Sequence, residues 1–245
     1  MADIILFSGG MDSVALAYLY PDAYLLHVLL GTQDEQSERS RLSNVAPGGS
    51  RLISVPLVLN LWELENKIIP FRNAFLIMVA AQYGRRVYLG ATIGDTTRDK
   101  DETFAHHIGT LLNYICPSNQ PDKSPPHQSW PFEVLMPFKG LSKRDIVKRF
   151  ISAGHPVDIL INSWSCYSGG EKECGVCRAC LRKYCALAFN PDNVARLDNH
   201  FVRRPRANDL LVFLEGSRVK KRHPSEIKSI EETIRLVGGK HETSS

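Results

Sequence analysis

The chain has 245 residues, 43% hydrophobic and 23% charged, with a formal net charge of +4. Those values describe a soluble globular protein, exclude a bilayer-spanning one because no apolar run nears the roughly 18 residues required, and are too weakly basic to argue by themselves for a nucleic-acid partner. The length suits one α/β domain with an appendage, and the opening Met-Ala-Asp carries no basic leader, so a cytoplasmic protein is expected.

In chain order, Ile4-Ile5-Leu6-Phe7 reads as a buried strand running straight into Ser8-Gly9-Gly10-Met11-Asp12-Ser13, after which Val14, Ala15, Leu16 and Tyr18 recur at helical spacing. The turn lies where anions bind. Amides in the first turn of a helix have no internal partner, and Gly9 and Gly10 present no Cβ to an approaching oxyanion. Ser8 and Ser13 add hydroxyl donors, and Asp12 can cap the helix or hold Mg²⁺. A bare Gly-Gly pair would serve equally as a tight connection. No Gly-Lys-Ser/Thr follows, so the segment is not a Walker A loop.

Residues 23–30 form a second strand pattern, which brings the backbone of His27 and Val28 to where a nucleotide base can be held; a packed strand histidine is the plainer role for the His27 side chain. Residues 52–59 form a third, with Pro56 placing it toward a sheet edge. Ile69-Pro70-Phe71-Arg72-Asn73 introduces a helix over 74–82, with Arg72 as a cation and Asn73 as a cap where a phosphate docks. A fourth strand over 87–91 passes Gly90 into a loop carrying Asp95, Asp99, Asp101 and Glu102, which suits Mg²⁺, a basic heterocycle or simply solvent. A helix over 104–115, a Pro- and Ser-rich loop over 117–131 and a fifth strand over 133–137 follow. Ser142 and Asp145 then open a helix as a capping box. Strands alternating with helices predict a doubly wound five-stranded parallel sheet.

Cys166, Cys174, Cys177 and Cys180 have the spacing of a closed metal site, with two CxxC steps sharing Cys177 and Gly175 freeing the knuckle turn. Zinc is the expected ion; disulfides and an iron–sulfur cluster are the alternatives. Arg178, Arg182 and Lys183 are expected to offset thiolate charge, and Cys185 and Cys116 stand outside the set. The segments predicted are an ATP-binding domain over 1–160, the zinc-binding segment over 161–189 and an extension over 190–245. In the extension, Arg203, Arg204, Arg206, Arg218, Lys220, Lys221 and Arg222 make either a solvated basic face or a grip for a polyanion.

SGGMDS resembles the SGGxDS signature of the PP-loop ATP pyrophosphatases. With Pro70-Phe71-Arg72-Asn73, Leu141-Ser142-Lys143 and the run from Trp164-Ser165-Cys166-Tyr167 to Cys180, the chain resembles the QueC family of 7-cyano-7-deazaguanine synthases. The resemblance implies a Rossmann-like, adenine nucleotide alpha hydrolase-like fold with a C-terminal zinc knuckle and a helical tail. It also implies that ATP activates 7-carboxy-7-deazaguanine as an adenylate, that ammonia gives an amide, and that a second activation dehydrates it to the nitrile. By position, residues Ser8 to Ser13 would bind pyrophosphate, Arg72, Asn73 and Lys143 would fix ATP, and the four cysteines would hold zinc. Asp95 or Asp101 would assist deprotonation. Two segments depart from the family pattern: Gly31-Thr32-Gln33-Asp34-Glu35-Gln36 replaces a D-Y-G-Q-R-H type run, and the loop from Asp95 to Phe104 replaces a D-Y-S-G-Y-P-D-C-R type run. The partners implied are the deazapurine acid and ammonia. Two other readings are a ligase joining the activated base to a protein amine, as in bacterial defence, and a tRNA-base-modifying PP-loop enzyme; a homodimer is a further expectation.

Overall fold

A computed structural model describes residues 2–32, 35–65, 68–116, 131–168 and 170–238. The expectations at Gln33 and Asp34, and over nearly all of the 117–131 loop, lie outside the described residues. Five strands, β1 (Asp3–Leu6), β2 (Tyr24–Leu29), β3 (Leu52–Pro56), β4 (Arg86–Tyr88) and β5 (Glu133–Leu135), form one sheet in the order β3-β2-β1-β4-β5. Every pairing is parallel. Between and after them come α1 (Met11–Leu19), α2 (Glu35–Val45), α3 (Arg72–Ala80), α4 (Glu102–Ile115), α5 (Lys143–Ser152), the short α6 (Val157–Ile161), α7 (Arg178–Leu187), α8 (Pro191–His200), α9 (Ala207–Val219) and α10 (Pro224–Gly238).

The two-residue period of β1 builds both faces. Ile4 and Leu6 enter a core with Leu26, Val28, Val87, Ile77 of α3 and Ile108 of α4, whereas Ile5 and Phe7 enter the other with Leu25, Tyr88, Val14 of α1 and Phe150 of α5. A sheet buried on both faces needs continuous apolar strands, which is what the sequence shows. β3 is an edge strand and ends at Pro56, whose missing N–H cannot serve a further partner. The topology reverses at β1 and β4, so the loops leaving their carboxyl ends form the crevice where this architecture binds ligands.

The sequence shows no periodicity over α2, because among its described side chains only Leu42 and Val45 are buried, too thin an apolar stripe. The extension covers the domain: Leu210, Phe213 and Leu214 of α9 and Ile230 and Val237 of α10 share one core with Phe7 and Val14. Arg144, 5% exposed, ties the layers by donating to Cys185 O at 2.6 Å, Ser229 O at 3.1 Å and Thr233 Oγ1 at 2.9 Å. The basic residues of the extension are largely consumed at home, since Arg203 pairs with Asp209, Arg204 with Asp198, Arg218 with Glu231 and Arg222 with Glu226. Among the described residues no helix is long and apolar enough to cross a membrane.

Candidate functional site

The loop after β1 stays hydrogen-bonded to the sheet through Phe7 N, which donates to Leu26 O at 2.8 Å, and then turns at Gly9 with φ +73°. A Cβ at Gly9 would also lie 3.0 Å from Leu42 of α2, so conformation and space both select glycine. Gly10 is the N-cap of α1 and supplies no side chain, leaving the first-turn amides to an outside acceptor. Ser13 Oγ donates to Gly10 O at 3.0 Å and lies 3.4 Å from Ser8 Oγ, so the two hydroxyls are gathered on one side of the turn.

Lys143 opens α5, held there by the capping box of Ser142 and Asp145. Its Nζ lies 2.6 Å from Asp12 Oδ1 and also contacts Oδ2; both side chains are 17% exposed. Two helix N-termini and an ammonium therefore converge at the end of β1. The two helix dipoles and the ammonium give the place features that suit an anion, with Asp12 as the ammonium's present partner. Gly90 permits the approach of β4, because a Cβ there would be 3.2 Å from Asp12 Cβ. His27 is buried; its Nδ1 bonds Phe7 O at 3.0 Å and its Nε2 has no hydrogen-bond partner among the described residues. Burial lowers its pKa, so it is neutral, and with Nδ1–H donating to the carbonyl its Nε2 is a bare acceptor. Val28, beside it, is packed in the α3 side of the core.

Other expected site residues are placed differently. Phe71, not a polar residue, is the N-cap of α3, in a left-handed conformation with φ 60°. Asn73 lies inside that helix, 3% exposed, where its Nδ2 donates to Asp99 Oδ2 at 2.8 Å, so it fastens the loop after β4 and caps nothing; Arg72 is half-buried at the helix start. Asp101 is the N-cap of α4, accepting from Phe104 N at 2.7 Å. Asp95 accepts from Thr92 N at 2.9 Å and Thr92 Oγ1 at 3.0 Å, and faces Arg182 at 3.5 Å and Lys100 at 3.8 Å. Burial opposes its charge, but Lys100, Arg182 and Lys143 hold its carboxyl well below the ordinary range. Its ties to Thr92, Arg182 and Lys100 keep that carboxylate charged and fixed in place.

Arg182 is the residue the sequence misassigned. It follows Cys180 by two positions, hence roughly 200° around α7, and so faces away from the thiols. Its guanidinium joins Asp95 to Glu226 of α10, at 2.9 Å from Glu226 Oε1. Glu226 also binds Arg222 at 2.6 Å and lies over Gly94, where a Cβ would fall 2.1 Å from its carboxylate. Burial alone would raise the Glu226 pKa; Arg182 and Arg222 lower it instead. Its stabilisation is therefore complete above the unfolded value near ~4.3 and fades as pH falls through the depressed folded value. Glu226→Gln is expected to lose about 3–5 kcal/mol at neutral pH, since buried Arg222 loses the counter-charge it pairs with and Arg182 is left with Asp95 alone. Thermal unfolding should show the gap to the parent closing below about pH 4; a gap that persists in acid would refute the assignment.

The four cysteines meet as a group, all Sγ atoms within 4.8 Å of one another, and this is the one set of three or more His, Cys, Asp or Glu found able to hold an ion among the described residues. Zn–S bonds of about 2.3 Å in a tetrahedron put thiolates roughly 3.8 Å apart; Cys174 and Cys180 are at 3.9 Å, Cys177 and Cys180 at 3.4 Å. Backbone amides point at the sulfurs, Cys174 N to Cys166 at 3.3 Å and Cys177 N to Cys174 at 3.3 Å, as thiolate ligands require. A soft, all-sulfur, amide-supported set fits zinc. Gly175, with φ +79°, lets the Arg203 carbonyl cross the knuckle, since a Cβ would lie 1.8 Å from it. Cys185, off the set and buried, has its thiol pushed up to about 12 by burial.

The family model described as queuosine biosynthesis protein QueC matches residues 53–190, which run from β3 through the whole cysteine set. The chain belongs to the QueC family. It is similar to the 7-cyano-7-deazaguanine synthase of Methanosphaerula palustris, 29% identical over 229 residues covering 77% of this chain and 95% of that one. It is also similar to the enzymes of the same name from Methanoculleus marisnigri, 30% identical with 72% and 89% covered, and Chlorobaculum parvum, 28% identical with 77% and 92% covered. QueC membership makes this an enzyme of the PP-loop ATP pyrophosphatase type acting on a small molecule, with a cysteine cluster able to bind zinc.

Proposed function

We propose that the chain is an ATP-dependent C–N ligase that converts 7-carboxy-7-deazaguanine to 7-cyano-7-deazaguanine. The observation that carries this is the Asp12–Lys143 pair at two converging helix N-termini on the carboxyl end of β1. An ATP triphosphate laid on residues Ser8 to Ser13 would take the Lys143 ammonium from Asp12. The substrate carboxylate oxygen attacks the α-phosphorus and pyrophosphate leaves, its charge met by Lys143 and the amides. Ammonia adds to the acyl carbon, AMP departs and a proton is released, giving the amide. The amide oxygen then attacks the α-phosphorus of a second ATP, pyrophosphate leaves, and loss of AMP and of both amide protons gives the nitrile. Asp12 would hold a Mg²⁺ that neutralises phosphate charge. Of the residues expected to fix ATP, Arg72 stands at the α3 entrance and Gly90 lies beside Asp12, whereas Asn73 would act through Asp99, and His27 and Val28 would contribute through the backbone of β2. Asp95 would orient the acceptor, and zinc on the four cysteines would be structural.

A second reading, transfer of the activated base to a protein amine, is favoured by exposed apolar side chains after β3, where Leu61 is 86% and Phe71 76% exposed. Purified protein with ATP, 7-carboxy-7-deazaguanine and ammonium should yield nitrile and two AMP per turnover by mass spectrometry. Acid consumption that requires a protein amine would establish the second reading; no AMP under either condition would refute both.

A further inference from the structure

Between the phosphate loop and the cysteines runs Ser163-Trp164-Ser165-Cys166, and it is held from both sides. Trp164 N donates to Gly9 O at 2.9 Å. Ser165 N donates to Glu173 Oε1 at 2.6 Å, and Ser163 O accepts from Lys183 Nζ. Successive peptide groups of extended chain point to opposite sides, so one side reads the loop and the other a buried charge cluster. In that cluster Glu173 is fully buried and Lys183 is 1% exposed; they pair with each other, and Glu173 Oε2 also meets His200 Nε2 of α8 at 2.6 Å. The segment ends on a metal ligand, Cys166, and Glu173 immediately precedes another, Cys174.

Burying a carboxylate and an ammonium costs more than an apolar pair of the same size would, so the cluster calls for a use beyond packing. We propose that Glu173, fixed by Lys183 and His200, is a positioning residue that holds residues 163–166 between the knuckle and the phosphate loop, so that metal occupancy and nucleotide affinity are coupled. This rests on the reading that the loop takes a triphosphate and the cysteines zinc. The metal shapes Cys166 and Cys174; Glu173 transmits that shape to Ser165; Trp164 N sets the carbonyl of Gly9, the residue whose left-handed turn aims the loop amides. Coupling between two ligands is reciprocal, so ATP must raise zinc affinity by the factor by which zinc raises ATP affinity.

The test uses the full chain and two probes, zinc and ATP without acceptor. Zinc affinity by chelator competition should rise about 10-fold with saturating ATP, within the usual range of such couplings. Glu173→Gln and His200→Ala should still bind one zinc and still bind ATP, with native circular dichroism, but the ATP effect on zinc affinity should fall below about twofold. His200 is partly exposed, so its variant reports even where Glu173→Gln does not fold. Equal zinc affinity with and without ATP, in parent protein that binds ATP, overturns the coupling alone. An effect undiminished in the folded variants overturns the role of the cluster. Zinc-loaded parent that binds no ATP overturns the functional reading and this one with it.

Discussion

Lys143→Met is expected to slow AMP formation about 10²–10³-fold, the loss usual when one preorganised donor to developing charge is removed. Lys143 reaches the site from the first residue of α5, and its ammonium lies 2.6 Å from Asp12 Oδ1 with only 17% of the side chain exposed. At that exposure its charge is weakly screened, and in the proposed reaction it meets the charge that builds on departing pyrophosphate. ATP affinity should suffer less than the rate, because the α1 amides and the Ser8 and Ser13 hydroxyls remain for the ground state. Asp12→Asn should also lose rate, with Lys143 released from its partner. Lys143→Arg keeps the charge but spreads it over a planar fork and should recover only part. Pyrophosphate release and AMP counting, with melting curves to show folding, measure these effects. Parent-level AMP formation by Lys143→Met would remove the site from the loop.

The parts of this site that were legible in the sequence are those whose meaning is local. The buried stretches of β1, β2 and β4, Ile4-Ile5-Leu6, Leu25-Leu26 and Val87-Tyr88, are largely apolar without alternation, as strands covered on both faces require. Ser142 and Asp145 declared the start of α5 because a capping box lies within four residues. Cys174, Cys177 and Cys180 declared their grouping by the same kind of short spacing, with Cys166 eight residues before them. What was not legible is long-range. Nothing near position 143 names Asp12 as its partner, and nothing near Arg182 names Glu226, 44 residues on. Asn73 looked like a cap because caps are chosen by residue type, yet its amide is taken by Asp99 and the strained Phe71 begins the helix instead. The seven basic residues of the extension looked like a surface charge, and the acids that neutralise Arg203, Arg204, Arg218 and Arg222 come from neighbouring turns and helices. Glu173 carried no signal at all, since a buried carboxylate is recognisable only once Lys183 and His200 stand beside it.

Cys180→Ser is expected to release the metal and, with it, the packing of the extension. Cys180 is fully buried, its Sγ sits 3.4 Å from Cys177 and 3.9 Å from Cys174, and a serine oxygen is a harder, shorter ligand that cannot close the all-sulfur set. Structural zinc sites contribute roughly 10–16 kcal/mol of apparent binding energy, as much as the ~5–15 kcal/mol of net stability a whole domain carries. Emptying such a site therefore unravels what it holds. Here that includes the crossing of Arg203 over Gly175 and the start of α7, which carries Arg182 to Asp95 and Arg144's acceptor Cys185 to α5. A loss of even 3–5 kcal/mol in a chain of this size would lower Tm by about 10 °C. Metal analysis should fall from about one zinc per chain to a trace. Cys185→Ala makes the contrast, because that thiol lies in the same helix, is as deeply buried and belongs to no metal set. It should keep its zinc and lose only about 1 kcal/mol of packing. A parent that carries no zinc, with equal Tm in the two variants, would mean that the thiols pack without a metal, and the extension would then owe its place to Arg144 and the apolar faces of α9 and α10.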